Sequence, residues 1–215
     1  MLPRYSKGEE IFNMVSHIVG GAVGIAAIPA CVVTAALHGN VYGVVSGAIF
    51  GATMLMLYCM SSIYHGLSPR LTAKKVFQVI DHCTIFVLIA GTYTPFTLCT
   101  IRSFNNAAGW IIFGVIWAAA ALGITLNAVD LKKYHIFSMV CYLVMGWCIL
   151  SVISPTVKAL TTGGALWLLA GGAAYTLGAV LYAIGAKRRY YHSVFHIFCV
   201  LGSLCHLICI VLYVM

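Results

Sequence analysis

The sequence predicts an all-α integral membrane protein, a bundle of seven transmembrane helices, and three observations lead there. The chain is 62% hydrophobic and only 7% charged over 215 residues, with a mean hydropathy of +1.02, whereas an ordinary soluble domain is about a quarter charged. A chain of this composition has too few polar groups to cover a surface in water. Apolar runs long enough to cross a bilayer, about 20 helical residues each, recur along its length. The Lys and Arg residues, finally, gather in alternate connections between those runs, as they do when cytoplasmic loops hold the positive charge.

Taken in order, spans are expected at about 15–37, 42–64, 76–98, 107–128, 134–153, 164–184 and 191–213. The first has no small-residue cleavage site after a basic start, so it reads as a retained helix rather than a signal peptide. Its Gly20, Gly21 and Gly24 suit close approach by a neighbouring helix. The second ends in "SSIYH" before the polar run "HGLSPRLTAKK". The third opens near Asp81 and carries "TYTP", where Pro95 removes a backbone donor and is expected to kink the span. That kink could admit a lipid or simply serve packing. The fourth is bounded by "CTIRSFNN" and "VDLKKY", the fifth and sixth are joined by "SPTVKALTTG", and "AKRRYY" leads into the seventh. No connection is long enough to separate domains and no internal repeat is evident, so residues 1–215 read as one domain.

The basic residues orient this bundle. With the N-terminus in the cytoplasm, ten of the twelve Lys and Arg fall inside: Arg4, Lys7, Arg70, Lys74, Lys75, Lys132, Lys133, Lys187, Arg188 and Arg189. Only Arg102 and Lys158 fall outside. The expectation is a multi-pass protein of the cell (plasma) membrane, N-terminus in and C-terminus out. The formal charge of +8 is therefore a property of loops at the membrane. It forms no continuous basic face, and nucleic acid is not an expected partner. Membrane lipids are; protein partners are not legible. The nine cysteines lie almost all in apolar runs without a CxxC pair, and read as packing residues rather than a disulfide framework.

Polar residues inside apolar spans are costly and so informative. On this topology His65, Asp81, His192 and His196 all fall at the cytoplasmic end. His192 and His196 are spaced i, i+4, one turn apart on one face, so both imidazoles can reach one ion. The bland alternative is two histidines snorkelling to the interface beside Arg188 and Arg189. His65 adds a third imidazole, and three His nitrogens with an open fourth position describe a catalytic zinc site. Ser61, four residues before His65, shares its face. Asp81 could bind the metal or hold a water beside it, or instead pair with Lys74 or Lys75. Glu10, Asn13 and His17 form a stripe at i, i+3 and i+7. They either orient a ligand histidine or, the favoured reading, anchor the N-terminal segment to the loops. His206 lies ten residues beyond His196, about 15 Å along a helix, too far to share an ion. It either hydrogen-bonds a neighbouring helix or marks a polar cavity toward the outer leaflet.

These residues carry a resemblance. "ExxNxxxH" at Glu10, Asn13 and His17, "SSIYH" at 61–65, the helix start at Asp81 followed by "AGTYTPF" at 90–96, and "HSVFH" at 192–196 resemble the hemolysin III family, the bacterial branch of the progestin and adipoQ receptor superfamily. The resemblance runs essentially the full length, in order. It implies a seven-helix fold with a Zn2+ ion near the cytoplasmic side held by His65, His192 and His196, and Asp81 and Ser61 around a water at the metal. The distantly similar alkaline ceramidases arrange Ser, Asp and three His in this way and hydrolyse a lipid amide. Three functions follow as expectations. The first is a zinc-dependent intramembrane hydrolase of a lipid amide or ester, in membrane or lipid homeostasis. The second is a non-catalytic sensor with a structural zinc. The third, a cytolytic protein, is disfavoured because apolar spans give a pore no continuous polar lining. A proton transporter would need Asp81 and His206 on one path, against their difference in depth.

Overall fold

A computed structural model of the chain describes residues 5–185 and 188–215, which are helical with short connections and contain no strand. Arg4 and Lys187, two of the basic residues in the charge count, and part of "AKRRYY" lie outside these residues. Helix α1 runs Lys7–Leu37, starting well before the apolar run expected at 15. The reason is local. Ser6 and Glu9 form a reciprocal capping box, and Glu9 and Glu10 lie in the first turn, where carboxylates complement the helix dipole. A hydropathy ruler does not register this polar turn, yet it places Glu10, Asn13 and His17 on the same rigid rod as the apolar span.

Helix α2, Val41–Gly66, runs back against α1 at small residues. A Cβ on Gly24 would stand 2.9 Å from the backbone nitrogen of Leu55, so only glycine allows this approach. Helix α3, Thr72–Pro95, continues into a π-helical turn at Phe96–Ile101. Pro95 therefore loosens the helix instead of ending it. The single Thr97 hydroxyl hydrogen lies within reach of the Tyr93 and Thr94 carbonyls, and the Phe96 N–H also meets the Tyr93 carbonyl. Thr92, Thr94, Pro95 and Phe96 are buried, so the irregular segment faces the protein interior.

Helix α4, Asn106–Asp130, starts at Asn105, whose side chain accepts from the Ala108 N–H. Helix α5, His135–Trp147, passes through a 3₁₀ turn at Cys148–Val152 into α6, Ile153–Gly185. These 51 residues would make a straight rod of about 77 Å, against a hydrocarbon core of about 30 Å. The rod is broken at Thr161, whose φ of 58° and ψ of 176° are not helical, and the chain doubles back. Trp147 Nε1 donates to Thr176 Oγ1 at 3.0 Å, and His135 Nε2 lies 3.2 Å from the Tyr182 hydroxyl. The spans expected at 134–153 and 164–184 fall on the two arms of this fold-back. Helix α7, Tyr191–Tyr213, packs against α6 and α1.

Among the described residues six helical stretches are long and apolar enough to cross a membrane. Their outer faces suit apolar surroundings. On α1, Ile11, Val15, Ile18, Val19, Ile25 and Val33 are exposed while Gly20, Gly24, Ala27, Cys31 and Ala35 are buried. An outward belt of this kind is stable in lipid, where all backbone polar groups are satisfied within the helices. Glu9 then fixes the end of the bundle that matters below. Its Oε1 accepts from the Tyr190 N–H at 2.8 Å, pinning the start of α7 beside the start of α1.

Candidate metal centre

The starts of α1 and α7 meet the end of α2, and three imidazoles come together there. Potential ligand nitrogens of His65, His192 and His196 lie within 4.8 Å of one another. His192 and His196 present their Nε2 atoms to each other at 3.0 Å, a contact that the i, i+4 spacing allows. Two nitrogens on one tetrahedral zinc, each about 2.1 Å from it, stand about 3.4 Å apart, so this pair is close to a ligating separation.

His65 is prepared from behind. Its Nδ1–H donates to Glu10 Oε2 at 2.7 Å. The other carboxylate oxygen of Glu10 accepts from the buried Lys74 ammonium at 2.7 Å, and Lys74 also donates to the Leu67 carbonyl. Because a carboxylate can only accept, Nδ1 carries the hydrogen and Nε2 is left as a bare lone pair. That Nε2 is buried and has no hydrogen-bond partner. A buried, unpartnered imidazole nitrogen beside two others is the donor set a Zn2+ ion takes, and a carboxylate behind the ligand is its usual support.

The stripe on α1 faces this cluster. Asn13 Nδ2 approaches His65 Nδ1 at 3.5 Å, and the His17 ring stacks on His196 with centroids 3.8 Å apart. Glu10, Asn13 and His17 thus contact the imidazoles, while Glu10 is also tied through Lys74 to the Leu67 carbonyl in the connection before α3, and Glu9 holds the Tyr190 N–H. The alternative partner for Asp81 is corrected. Lys74 pairs with Glu10, Lys75 is exposed, and among the described residues the basic side-chain nitrogen within 4.0 Å of Asp81 is His82 Nδ1.

Ser61, Asp81, His17, His192 and His196 share the wall of one cavity of about 160 Å³. Away from that end its walls are mainly apolar, with Leu57, Ile85, Leu88, Ile89 and Phe195 among them, and it reaches His206. Of the two roles expected for His206, the hydrogen bond to a neighbouring helix is present: Nε2 bonds the Leu168 carbonyl at 3.2 Å, while the ring lines this mainly apolar cavity. Sequence reasoning missed Tyr5, which stacks on His192 with centroids 4.8 Å apart and whose hydroxyl is pushed above its ordinary range by burial. It also missed Tyr182, 3.5 Å from His82 Nε2. Neither residue stands in a spacing pattern, and aromatic residues are common in apolar spans.

With this geometry in hand, the comparisons are decisive about ancestry. The family model described as haemolysin-III related matches residues 5–207. The chain belongs to the haemolysin III family. It is 35% identical over 208 residues to Hemolysin-3 of Bacillus cereus, covering 96% of this chain and 92% of that one. To the Hemolysin-3 homolog of Bacillus subtilis (strain 168) it is 34% identical over 205 residues, 95% and 94% of the two chains. Family and helices together make this haemolysin III chain a multi-pass membrane protein, with a three-histidine group able to hold a metal ion.

Proposed function

We propose that this haemolysin III protein is a zinc-dependent intramembrane hydrolase of a lipid amide or ester. The observation that carries the reading is a three-imidazole cluster at one end of a mainly apolar cavity. His65, His192 and His196 would hold the ion, and three protein ligands leave a position open, the pattern of catalytic rather than structural zinc. Zinc bound there supplies a Lewis acid that polarises a carbonyl and acidifies water. Asp81 takes the proton from the attacking water, and the Ser61 hydroxyl orients that water or donates to the developing oxyanion. Glu10, braced by Lys74, holds His65 in the tautomer that offers Nε2. The apolar walls take hydrocarbon and keep bulk water out.

The membrane arrangement in this reading has seven crossings, the fold-back at Thr161 separating the fifth from the sixth. The Lys and Arg distribution then puts the metal end at the cytoplasmic leaflet and the C-terminus outside. A structural zinc is the second reading, favoured by ligands that come from two different helices, α2 and α7, which one ion would clamp together. The relatives are named for haemolysis. A lytic pore needs a polar path across the bilayer, and the mainly apolar cavity walls do not support one.

Metal analysis and one variant separate these readings. Purified protein is expected to carry about one zinc per chain, lost in His65→Ala, His192→Ala and His196→Ala. Asp81→Asn is expected to keep its zinc and thermal stability yet to lose hydrolysis of a long-chain N-acyl amide or ester probe supplied in nanodiscs. Wild-type turnover or wild-type complementation by zinc-loaded Asp81→Asn would overturn the hydrolase mechanism and leave the staple.

A further inference from the structure

The far end of the cavity carries a feature that a simple hydrocarbon tail does not explain. Among the described residues, the buried side-chain nitrogen and oxygen atoms without a hydrogen-bond partner belong to Asn13, His17, His65, Ser193, His196 and His206. All but the last lie on α1, α2 or the first turns of α7, around the metal cluster. The exception is Nδ1 of His206, ten residues further along α7 than His196 and about 15 Å deeper. This imidazole is only 8% exposed and lines the same cavity as Asp81, Ser61 and His192.

The ring is held in place and its chemistry is set. Nε2 bonds the Leu168 carbonyl, which can only accept, so the hydrogen is on Nε2 and the neutral ring presents Nδ1 as a bare acceptor. The ring lies over Gly171, where a Cβ would collide with it, and against Tyr175 and Phe96. The other polar side chains at this depth are already engaged. Thr92 donates to the Leu88 carbonyl, Tyr93 donates to Gly146 and accepts from the Ile149 N–H, and the Tyr175 hydroxyl bonds Ser203. Thr176 accepts from Trp147 and donates to the Gly172 carbonyl. A trapped water wants two or more polar partners and finds little besides His206. His206 also lines a smaller hollow of about 30 Å³ with Phe96, Ile149, Leu168 and Leu169.

We infer that His206 is a distal hydroxyl-binding subsite, and that the cavity takes an acyl chain bearing a hydroxyl group far from its carbonyl. The inference rests on the proposed function, which seats the carbonyl at the three-histidine end. Carbon–carbon bonds of about 1.5 Å advance an extended chain by about 1.3 Å each, so the hydroxyl falls roughly 10–12 carbons from the carbonyl. It donates to Nδ1.

The test uses the full-length protein in nanodiscs and three probes: stearic acid, 2-hydroxystearic acid and 12-hydroxystearic acid, each competing with a fluorescent fatty acid. The 12-hydroxy acid is expected to bind about tenfold tighter than the other two, the value of one buried hydrogen bond. His206→Phe keeps a ring over Gly171 without the acceptor, and is expected to bring the 12-hydroxy acid down to the level of stearic acid with zinc content intact. Equal binding of all three acids by the wild-type protein overturns the subsite while leaving the lipid cavity standing, and this comparison needs no variant. A preference that survives His206→Phe overturns the assignment to His206. Failure of every acid to bind defeats the lipid reading itself, and the subsite with it.

Discussion

Glu10 holds the centre together through two charge-assisted hydrogen bonds, one from His65 and one from Lys74, each 2.7 Å long. Without it, His65 loses the group that fixes its tautomer and Lys74 is left as a buried, unpaired ammonium. Glu10→Ala is therefore expected to weaken zinc binding by about 10–100-fold, measured by chelator competition. Lys74→Met removes only the brace and should cost less, and Glu10→Gln should fall between them because the amide still accepts from Nδ1. If Glu10→Ala binds zinc like the wild type, the carboxylate is not what prepares His65. The residues of this centre were legible in the sequence because polar groups in apolar spans are few. Their partners were not. Glu10 meets His65 and Lys74 across long separations in the chain, and the rotation of α1 against α2 decides whether its stripe faces imidazoles or loops. Only the packed helices, through glycines such as Gly24, set that rotation.

Among the elements, the break between α5 and α6 is the least regular. Thr161 has a positive φ with an extended ψ, a region that belongs essentially to glycine and costs a β-branched residue about 1–3 kcal/mol. The side chain is exposed, so replacing it forfeits no buried contact. Thr161→Gly is expected to raise stability by about 1 kcal/mol, the relief of strain less the entropy glycine loses on folding. Thr161→Ala, which keeps a Cβ, should give little. Thermal unfolding in detergent reads the difference, and a lower midpoint for the glycine variant would show that the fold-back is unstrained. Apolar run lengths located both arms, whereas "SPTVKALTTG", expected as a connection, is helical except at Thr161. They could not show that helix continues almost to the break on each side, because hydropathy averages over a window while the turn is made at one residue. The early start of α1 escaped for the same reason, since Ser6 and Glu9 work through geometry rather than hydrophobicity.

At the scale of the whole molecule, the bundle gathers its unpartnered polar atoms chiefly at one end and faces lipid elsewhere with apolar side chains. Composition alone announced that the chain lives in a membrane, and the order of its spans was readable because every apolar run had to cross or stop. Which leaflet holds the centre is a question of charge. Ten of twelve Lys and Arg lie on the side of the three histidines if the chain crosses seven times, and moving them through the bilayer would be costly. A reporter active only outside the cytoplasm should give signal when fused after Met215 and none when fused at Lys132. Six crossings would put both ends of the chain on one side, so silence at Met215 together with silence at Lys132 would mean that the fold-back at Thr161 does not reach across. Signal at Lys132 with silence at Met215 would invert the bundle and place the centre at the outer leaflet, where its water and zinc would come from outside the cell.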